Sequence, residues 1–411
     1  MMVRQAVFLV GGKGTRLGAL TRATPKPLLE VAPGLRFLDF AIEEVARYGF
    51  TDVLLVAGHL GDQVEDAYQG RTIRGAQVRV IREAEPQGTG GAVRMVAGEL
   101  DPWFLLLNGD SLFEFNLRAL VQDPADDFVA RLALRTVPDP ARFGAVEVDG
   151  EVVVGFREKD PDLKGPALIN GGVYLVNRSI LELIEGPCSI EQDVFPKLIS
   201  AGQLRGRKFD GYFLDIGLPD TYDQAKQEIP ARRKRPCAFL DRDGVLNVDA
   251  GYTHRPEDLL FVPGAPEAVR RLNEAGYYVI VITNQAGVAK GHFEEAAVHG
   301  FHTAMADALA ATGAHIDAFY HCPFHEAATV EAYRQADHPD RKPNPGMILK
   351  AMAEWPVDSG RSFLIGDMDT DIAAARAAGL PGVLFPGGDL SVFLESLPYL
   401  INRGNIGSPS G

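Results

Sequence analysis

Twice along this chain a short apolar run stops abruptly at a loop of glycine, aspartate and charge, and each time a helical pattern follows. Residues 7–10 give way to Gly11-Gly12-Lys13-Gly14-Thr15-Arg16-Leu17, and Cys237–Leu240 gives way to Asp241-Arg242-Asp243-Gly244-Val245-Leu246-Asn247. More apolar runs follow each junction, at 53–57, 78–81 and 104–107 in the first half and at 278–282, 363–365 and 382–385 in the second. Between them, apolar residues recur at helical spacing, as at 40–48, 265–275 and 371–378. Short buried strands alternating with amphipathic helices specify an α/β fold with a mostly parallel sheet. Because the pattern restarts, and because 411 residues exceed one ordinary domain, the expectation is two such domains. The joint falls in Gln227-Glu228-Ile229-Pro230-Ala231-Arg232-Arg233-Lys234-Arg235-Pro236. A charged run between prolines reads as a solvated linker. This predicts domains over 1–229 and 237–400, a linker over 230–236, and a flexible tail over 401–411.

Composition excludes several classes of function. Hydrophobic residues make up 46% of the chain and charged residues 23%, too apolar for a disordered protein. A net charge of −14 argues against nucleic acid as a partner, since phosphate recognition needs a basic footprint. No apolar run approaches the roughly 18 residues of a membrane span, and the N-terminal apolar stretch is too short for a signal peptide. Three widely spaced cysteines, Cys188, Cys237 and Cys322, form no even disulfide framework. A cytoplasmic protein acting on small molecules is expected. Eight of the nine histidines lie beyond the joint, so any histidine-dependent metal site belongs to the second half.

The first glycine-rich loop suits phosphate. Glycines let backbone N–H groups approach an anion, and Lys13 and Arg16 add positive charge. A plain tight turn would have the same composition, but the loop is followed by Thr24-Pro25-Lys26-Pro27, where two prolines stiffen the backbone around Lys26. Asp110 closes the run at 104–107 within Asn108-Gly109-Asp110, and Asp215 sits in Phe213-Leu214-Asp215-Ile216-Gly217. Ligands of open α/β sheets bind beyond the carboxyl ends of strands, and hard carboxylate oxygens suit Mg²⁺ beside phosphates.

Taken in order, these pieces resemble the sugar-1-phosphate nucleotidyltransferase family from Val3 to Ala225. Glu85-Pro86-Gln87-Gly88-Thr89-Gly90-Gly91, Phe143-Gly144, Glu158-Lys159 and Asn170-Gly171-Gly172 complete the match. The resemblance implies a Rossmann-like nucleotidyltransferase fold. It implies that Gly11, Gly12, Gly14, Thr15 and Arg16 hold a nucleoside triphosphate, with Lys26 and Arg16 in the catalytic apparatus. Gln87 and Gly88 would meet the base, and Gly144, Glu158, Lys159, Asn170 and Gly171 the sugar phosphate. Asp110 and Asp215 would hold Mg²⁺.

The second junction places Asp241 and Asp243 two apart at a strand end, where they share a direction and Gly244 permits a sharp turn. Such a pair can divide the work of nucleophile and proton shuttle, although an Asp-Gly turn alone would look the same. Two more strand ends tip the balance. One carries Thr283-Asn284-Gln285, the other Gly366-Asp367-Met368-Asp369-Thr370-Asp371, and Arg341-Lys342-Pro343 supplies cations between them. This half resembles the haloacid dehalogenase phosphatase superfamily. It is most similar to the D-glycero-D-manno-heptose 1,7-bisphosphate phosphatases, with histidinol-phosphate phosphatases sharing the skeleton. The resemblance implies Asp241 as nucleophile and Asp243 as general acid/base. Thr283, Asn284, Arg341 and Lys342 would bind substrate, and Asp241, Asp367 and the Asp243 carbonyl would bind Mg²⁺. Met368 stands where relatives often carry lysine. The family's zinc loop, Cys-x-His followed by Cys-x-Cys, is represented here by Cys322, Phe324, His338 and Asp340. A zinc ion would therefore have to use Cys322, His338 and the neighbouring His325.

Two such activities narrow one another. A phosphatase that removes the distal phosphate of a sugar bisphosphate yields the sugar 1-phosphate that a nucleotidyltransferase consumes. The run from Phe209 to Gly217 is similar to the heptose-1-phosphate guanylyltransferase subgroup, which implies GTP as the donor and a GDP-heptose as the product. A mannose- or other hexose-1-phosphate nucleotidyltransferase joined to a histidinol-phosphate-like phosphatase, and a non-catalytic nucleotide-sugar-binding regulator, are the alternatives.

Overall fold

The computed structural model describes residues 2–138, 140, 145–157 and 165–401. The chain divides into two compact units, Met1–Arg232 and Arg233–Gly411.

The first unit is built on a ten-stranded sheet. Gln5–Leu9 lies at its centre, with Asp52–Ala57 and then Ala76–Arg82 on one side and Trp103–Asn108 on the other, all parallel. These strands read as continuous apolar runs because both faces are covered. Alternate residues of one strand enter opposite cores: Phe8, Leu55 and Leu105 pack on one side, Val7, Leu54 and Leu106 on the other. Beyond Trp103–Asn108 the sheet becomes mixed. Ala167–Asn177 pairs antiparallel with both Trp103–Asn108 and Ala130–Val137, and Leu204–Lys208 returns parallel to Ala130–Val137. The strand order reverses beside Gln5–Leu9, which opens a crevice at the carboxyl ends of the central strands. A separate ribbon, Tyr212–Asp215 paired antiparallel with Ser111–Glu114, brings Asp215 opposite Ser111.

The second unit holds a five-stranded sheet, parallel throughout, in the order Ala318–Cys322, Tyr278–Asn284, Cys237–Leu240, Phe363–Gly366, Gly382–Leu384. Again alternate residues feed two cores, Ala238 and Leu240 on one face and Cys237 and Phe239 on the other. The first strand is central and the order reverses next to it, so Asp241 emerges at the switch point.

The expected linker is largely regular structure. The helix Pro219–Arg233 runs through Pro230, and Arg235 already pairs with the second unit, its N–H donating to Pro356 O at 3.1 Å and its carbonyl accepting from Asp358 N at 2.7 Å. Proline forgoes one backbone donor in the helix, while Ile229 is buried and Arg232 reaches Glu114 at 2.9 Å. Those side-chain anchors hold the last turn. Of the expected tail, Ile401 ends the helix Pro398–Ile401, and the rest lies outside the described residues.

Candidate active sites

In the first unit the residues singled out by sequence gather around one lysine. Lys26 opens a short 3₁₀ turn, Lys26–Leu28, and is only 7% exposed. Its Nζ lies 2.8 Å from Asp110 Oδ2 and 3.3 Å from Asp215 Oδ1. The carboxylates themselves face solvent, with side chains 45% and 28% exposed. Two strand ends hold them together. Gly109 N donates to Leu9 O at 2.9 Å and Ile216 N to Asp110 O at 3.2 Å. Position 109 must be glycine, since a Cβ there would lie 2.4 Å from Val10 and 2.9 Å from Leu9 O. The cleft above these groups, about 570 Å³, is lined by Gly12, Gly14, Thr15, Arg16, Asn170 and Gly171 among others.

Not every expected residue reaches that cleft. Gly11 is turned from it, packed against Gly58 and the Glu83 carboxylate. Gln87 lines a separate pocket with Glu85 and Arg94. Gly88 abuts the Cys188 backbone, where a Cβ would come within 2.4 Å of its carbonyl oxygen. Gly144, Glu158 and Lys159 lie outside the described residues.

The sequence did not point to Glu191, which also lines the cleft. Its Oε2 accepts from Thr89 Oγ1 and Ser189 Oγ, both at 2.9 Å, and its Oε1 from the Tyr174 hydroxyl at 3.4 Å. Asn170 donates to Tyr174 Oη at 2.8 Å and accepts from Gly172 N at 3.0 Å, so this network continues into the Asn170 motif. The available signal was Ser189, whose side chain caps the turn Ile190–Val194 by accepting from Gln192 N.

The second site is far more buried. Asp241 follows Cys237–Leu240, its N–H donating to Ile365 O at 2.9 Å. Lys342 Nζ lies 2.8 Å from Asp241 Oδ1 and 2.6 Å from Asp371 Oδ1, and all three residues are under 9% exposed. The Asn284 side chain clamps the Lys342 backbone by a reciprocal pair of 3.0 Å hydrogen bonds. Burial raises the Asp241 carboxyl to about 7, with Asp371 adding to the rise and Lys342 opposing it. Burial also works against the charge on Lys342, but Asp241 and Asp371 outweigh it and its pKa rises. One oxygen each from Asp241, Asp367 and Asp371 lie within 4.8 Å of one another.

Asp371 is therefore a member that the sequence reading did not include. It sits in the first turn of the helix Asp369–Ala377 and accepts from Met368 N at 3.0 Å, which aims it back at the strand ends. Gly244, at φ +83°, would otherwise place a Cβ 2.1 Å from Asp367 Oδ2.

The Asp243 carboxylate is not part of the acidic cluster. It is held by Arg242 Nη2 at 2.9 Å, Asn247 Nδ2 at 2.9 Å and Gln285 Nε2 at 2.9 Å. Gln285 Nε2 also donates to Thr283 Oγ1 at 2.8 Å, which ties Asp243 to that strand end. Arg341 donates to Phe324 O at 3.2 Å.

The zinc expectation does not survive. Cys322 Sγ lies 3.8 Å from His338 Nδ1, but that nitrogen accepts from Asp340 N at 3.1 Å. The His338 ring stacks flat on Phe324 at 4.0 Å. His325 turns its Nδ1 to Ala327 N at 3.0 Å and does not join them. Where the family loop places ligands, this one is held by an aromatic stack.

Comparison with known proteins resolves both halves. Residues 5–232, more than half of the sequence, match the nucleotidyl transferase family model. The chain belongs to the nucleotidyl transferase family. Its first unit is also similar to the crystal structure of HddC from Yersinia pseudotuberculosis. That match has 28% identity and a TM-score of 0.50, covering 56% of this chain and 100% of that one. The same protein complexed with GMP-PN matches equally well. Residues 340–392 match a haloacid dehalogenase-like hydrolase model. Over 174 residues, 42% of this chain, the sequence is 49% identical to the D-glycero-beta-D-manno-heptose-1,7-bisphosphate 7-phosphatase of Rhodopseudomonas palustris, covering 96% of that protein. It is 44% identical over 159 residues to the D-glycero-D-manno-heptose-1,7-bisphosphate 7-phosphatase of Thermosynechococcus vestitus, covering 80% of it and 38% of this chain. The protein thus joins a nucleotidyltransferase to a phosphatase of the haloacid dehalogenase type. No helix among the described residues is long and apolar enough to cross a membrane.

Proposed function

We propose that the protein makes a nucleotide-activated heptose in two steps, each carried by one unit. The second unit removes the 7-phosphate of D-glycero-D-manno-heptose 1,7-bisphosphate, and the first transfers GMP from GTP to the resulting heptose 1-phosphate, releasing pyrophosphate. The observation that carries the reading is the 49% identity of the second unit to a heptose-bisphosphate phosphatase over nearly its whole length, in a chain whose other unit resembles a protein solved with GMP-PN. One product is then the other's substrate.

The donor chemistry at both sites fits Mg²⁺. Asp110 and Asp215 offer exposed carboxylate oxygens in the first unit, and Asp241, Asp367 and Asp371 offer three converging ones in the second, with the Asp243 carbonyl as a further oxygen ligand. Bound there, Mg²⁺ would neutralise charge on the phosphoryl oxygens.

In the phosphatase, an Asp241 oxygen attacks the 7-phosphorus and the bond to the sugar oxygen breaks. Asp243 gives that oxygen its proton. Asp243, now ionised, takes a proton from water, which attacks the aspartyl-phosphate and frees phosphate and Asp241. Arg242, Asn247 and Gln285 hold Asp243 in place for both transfers, while Thr283 and Lys342 bind the phosphoryl oxygens. The positive charge of Lys342 favours ionised Asp241 against the burial that opposes it.

In the transferase no protein nucleophile is needed. The loop of Gly12, Gly14, Thr15 and Arg16 holds the triphosphate, and Lys26 orients the two aspartates. Asn170 and Gly171 hold the sugar, with Gly144, Glu158 and Lys159 assigned by resemblance to the same task. A sugar-phosphate oxygen attacks the α-phosphorus in line and pyrophosphate leaves, so catalysis is positioning plus charge neutralisation.

The test supplies the full chain with Mg²⁺, GTP and heptose 1,7-bisphosphate of either anomer, and measures phosphate, pyrophosphate and GDP-heptose. All three should form from one anomer. Asp241→Asn should stop all three, and added heptose 1-phosphate should restore the last two. GDP-hexose formation from mannose 1-phosphate in preference to the heptose would overturn the substrate assignment.

A further inference from the structure

The geometry points to a transition-metal site in the second unit, away from the acidic cluster, formed by Glu295, His299 and His321. Glu295 and His299 are four residues apart on the helix Glu295–Ala311, so their side chains share one face. His321 comes from the adjoining edge strand, Ala318–Cys322, in register with Thr283. One donor atom from each of the three lies within 4.8 Å of the other two. His321 Nε2 is 2.8 Å from Glu295 Oε1, and the rings of His299 and His321 stand almost perpendicular, 5.2 Å apart.

The surroundings are arranged as they are at metal centres. The second carboxylate oxygen, Glu295 Oε2, accepts from the Tyr333 hydroxyl at 3.0 Å. An outer hydrogen bond of this kind fixes a ligating carboxylate. The His321 side chain is largely sheltered, 13% exposed, which holds its ring in place beside the carboxylate. His299 is exposed, which leaves an entry path.

Two imidazoles and one carboxylate select the ion class. Mg²⁺ and Ca²⁺ prefer all-oxygen shells, whereas imidazole with carboxylate suits Zn²⁺, and the set of two histidines and one glutamate is a known zinc donor set. Three protein ligands leave a fourth position to water. The ion would bind Tyr333's loop, the end of the edge strand and the helix into one unit, at the start of the segment that leads to Arg341 and Lys342. The loop positions Cys322, His325 and His338 have no share in it.

The test is calorimetric titration of the chelator-treated full chain with Zn²⁺ in excess Mg²⁺, which occupies the acidic clusters. Wild type should bind one Zn²⁺ per chain and melt at a higher temperature with it. His299→Ala, an exposed change that leaves the core intact, and Glu295→Gln should each abolish that binding while the melting temperature without zinc stays near wild type. Tyr333→Phe should weaken it by about 10-fold. Cys322→Ser and His338→Ala should leave it unchanged. Absence of stoichiometric Zn²⁺ binding in wild type, binding that survives His299→Ala, or binding lost with Cys322→Ser would each overturn the site. These readouts involve neither activity, so failure of the zinc site and failure of the functional reading are distinguishable.

Discussion

The two sites solve related problems in phosphoryl chemistry with opposite settings of solvent. Both set a lysine between two aspartates beside the carboxyl end of a central parallel strand, although in the first unit Asp215 comes from the separate antiparallel ribbon. In the first unit the aspartates of the Lys26 group are 45% and 28% exposed and stand at the edge of an open cleft. In the second, the side chains of Asp241, Lys342 and Asp371 are 12%, 3% and 1% exposed. The difference matches the chemistry. A transferase that only positions two substrates can leave its carboxylates hydrated. A protein nucleophile gains from being stripped of water, but the charge must then be held by a buried cation, and the opposing effects on Asp241 record that balance.

The comparison breaks first if the buried aspartate is not the nucleophile. Asp241→Asn should lower phosphate release by on the order of 10⁴-fold, while Asp243→Asn should cost about 10²–10⁴-fold and let phosphorylated enzyme accumulate. Rapid-quench measurement of phosphate and trapping of the acyl-phosphate distinguish the two, and a folded Asp241→Asn protein with normal turnover would end the assignment.

Stability offers the next contrast. Lys342→Met leaves Asp241 and Asp371 buried without their cation, and should destabilise the second unit by about 3–5 kcal/mol. Lys26→Met leaves hydrated aspartates behind and should cost the first unit about 1 kcal/mol or less. Denaturant unfolding with probes in each unit would show equal losses if the solvent difference were unimportant.

Asp215→Asn should reduce pyrophosphate release by about 10²–10³-fold and leave phosphate release from a sugar bisphosphate unaltered. A matching fall in both products would show that the two sites do not act separately.

The last effect concerns acid. Burial, with Arg242 and the neighbouring His321 and His299, drives the His302 pKa down to about 2. His302 stacks on Phe319. As pH falls through about 6.5 the unfolded chain takes up a proton that the folded chain refuses, so stability present above that pH is lost below it. The loss is about 2 kcal/mol between pH 7 and pH 5. In His302→Asn the unfolding midpoint of the second unit should change less over that interval, and an unaltered slope would mean that His302 titrates normally.

How much of this could be read beforehand depended on where the constraint lay. The strand ends were legible because an apolar run that stops at Asp241, or at Asn108-Gly109-Asp110, carries both the burial signal and the chemistry in adjacent residues. Asp371 was not, because its role comes from helix geometry that folds it back onto Lys342. Glu191 was hidden for the same reason, since its partners Thr89 and Tyr174 are distant in sequence. The antiparallel strands of the first unit look like the parallel ones, because a strand covered on both faces is apolar throughout and direction leaves no trace in composition. The segment around Pro230 misled through its charge, although Ile229 and Arg232 had partners waiting.

That last turn governs how the gene can be cut. The Arg232 guanidinium lies 3.4 Å from the centre of the Tyr212 ring and salt-bridges Glu114, so a transferase expressed to residue 229 would lose a clamp on the ribbon that carries Asp215. A phosphatase begun at Pro236 would lose the Arg235 pairing with Pro356 and Asp358 and the Arg233 carbonyl that receives the Tyr278 hydroxyl. Each half claims residues that a boundary drawn at the prolines would award to neither. Separately produced enzymes should therefore overlap across residues 230–236 instead of meeting there.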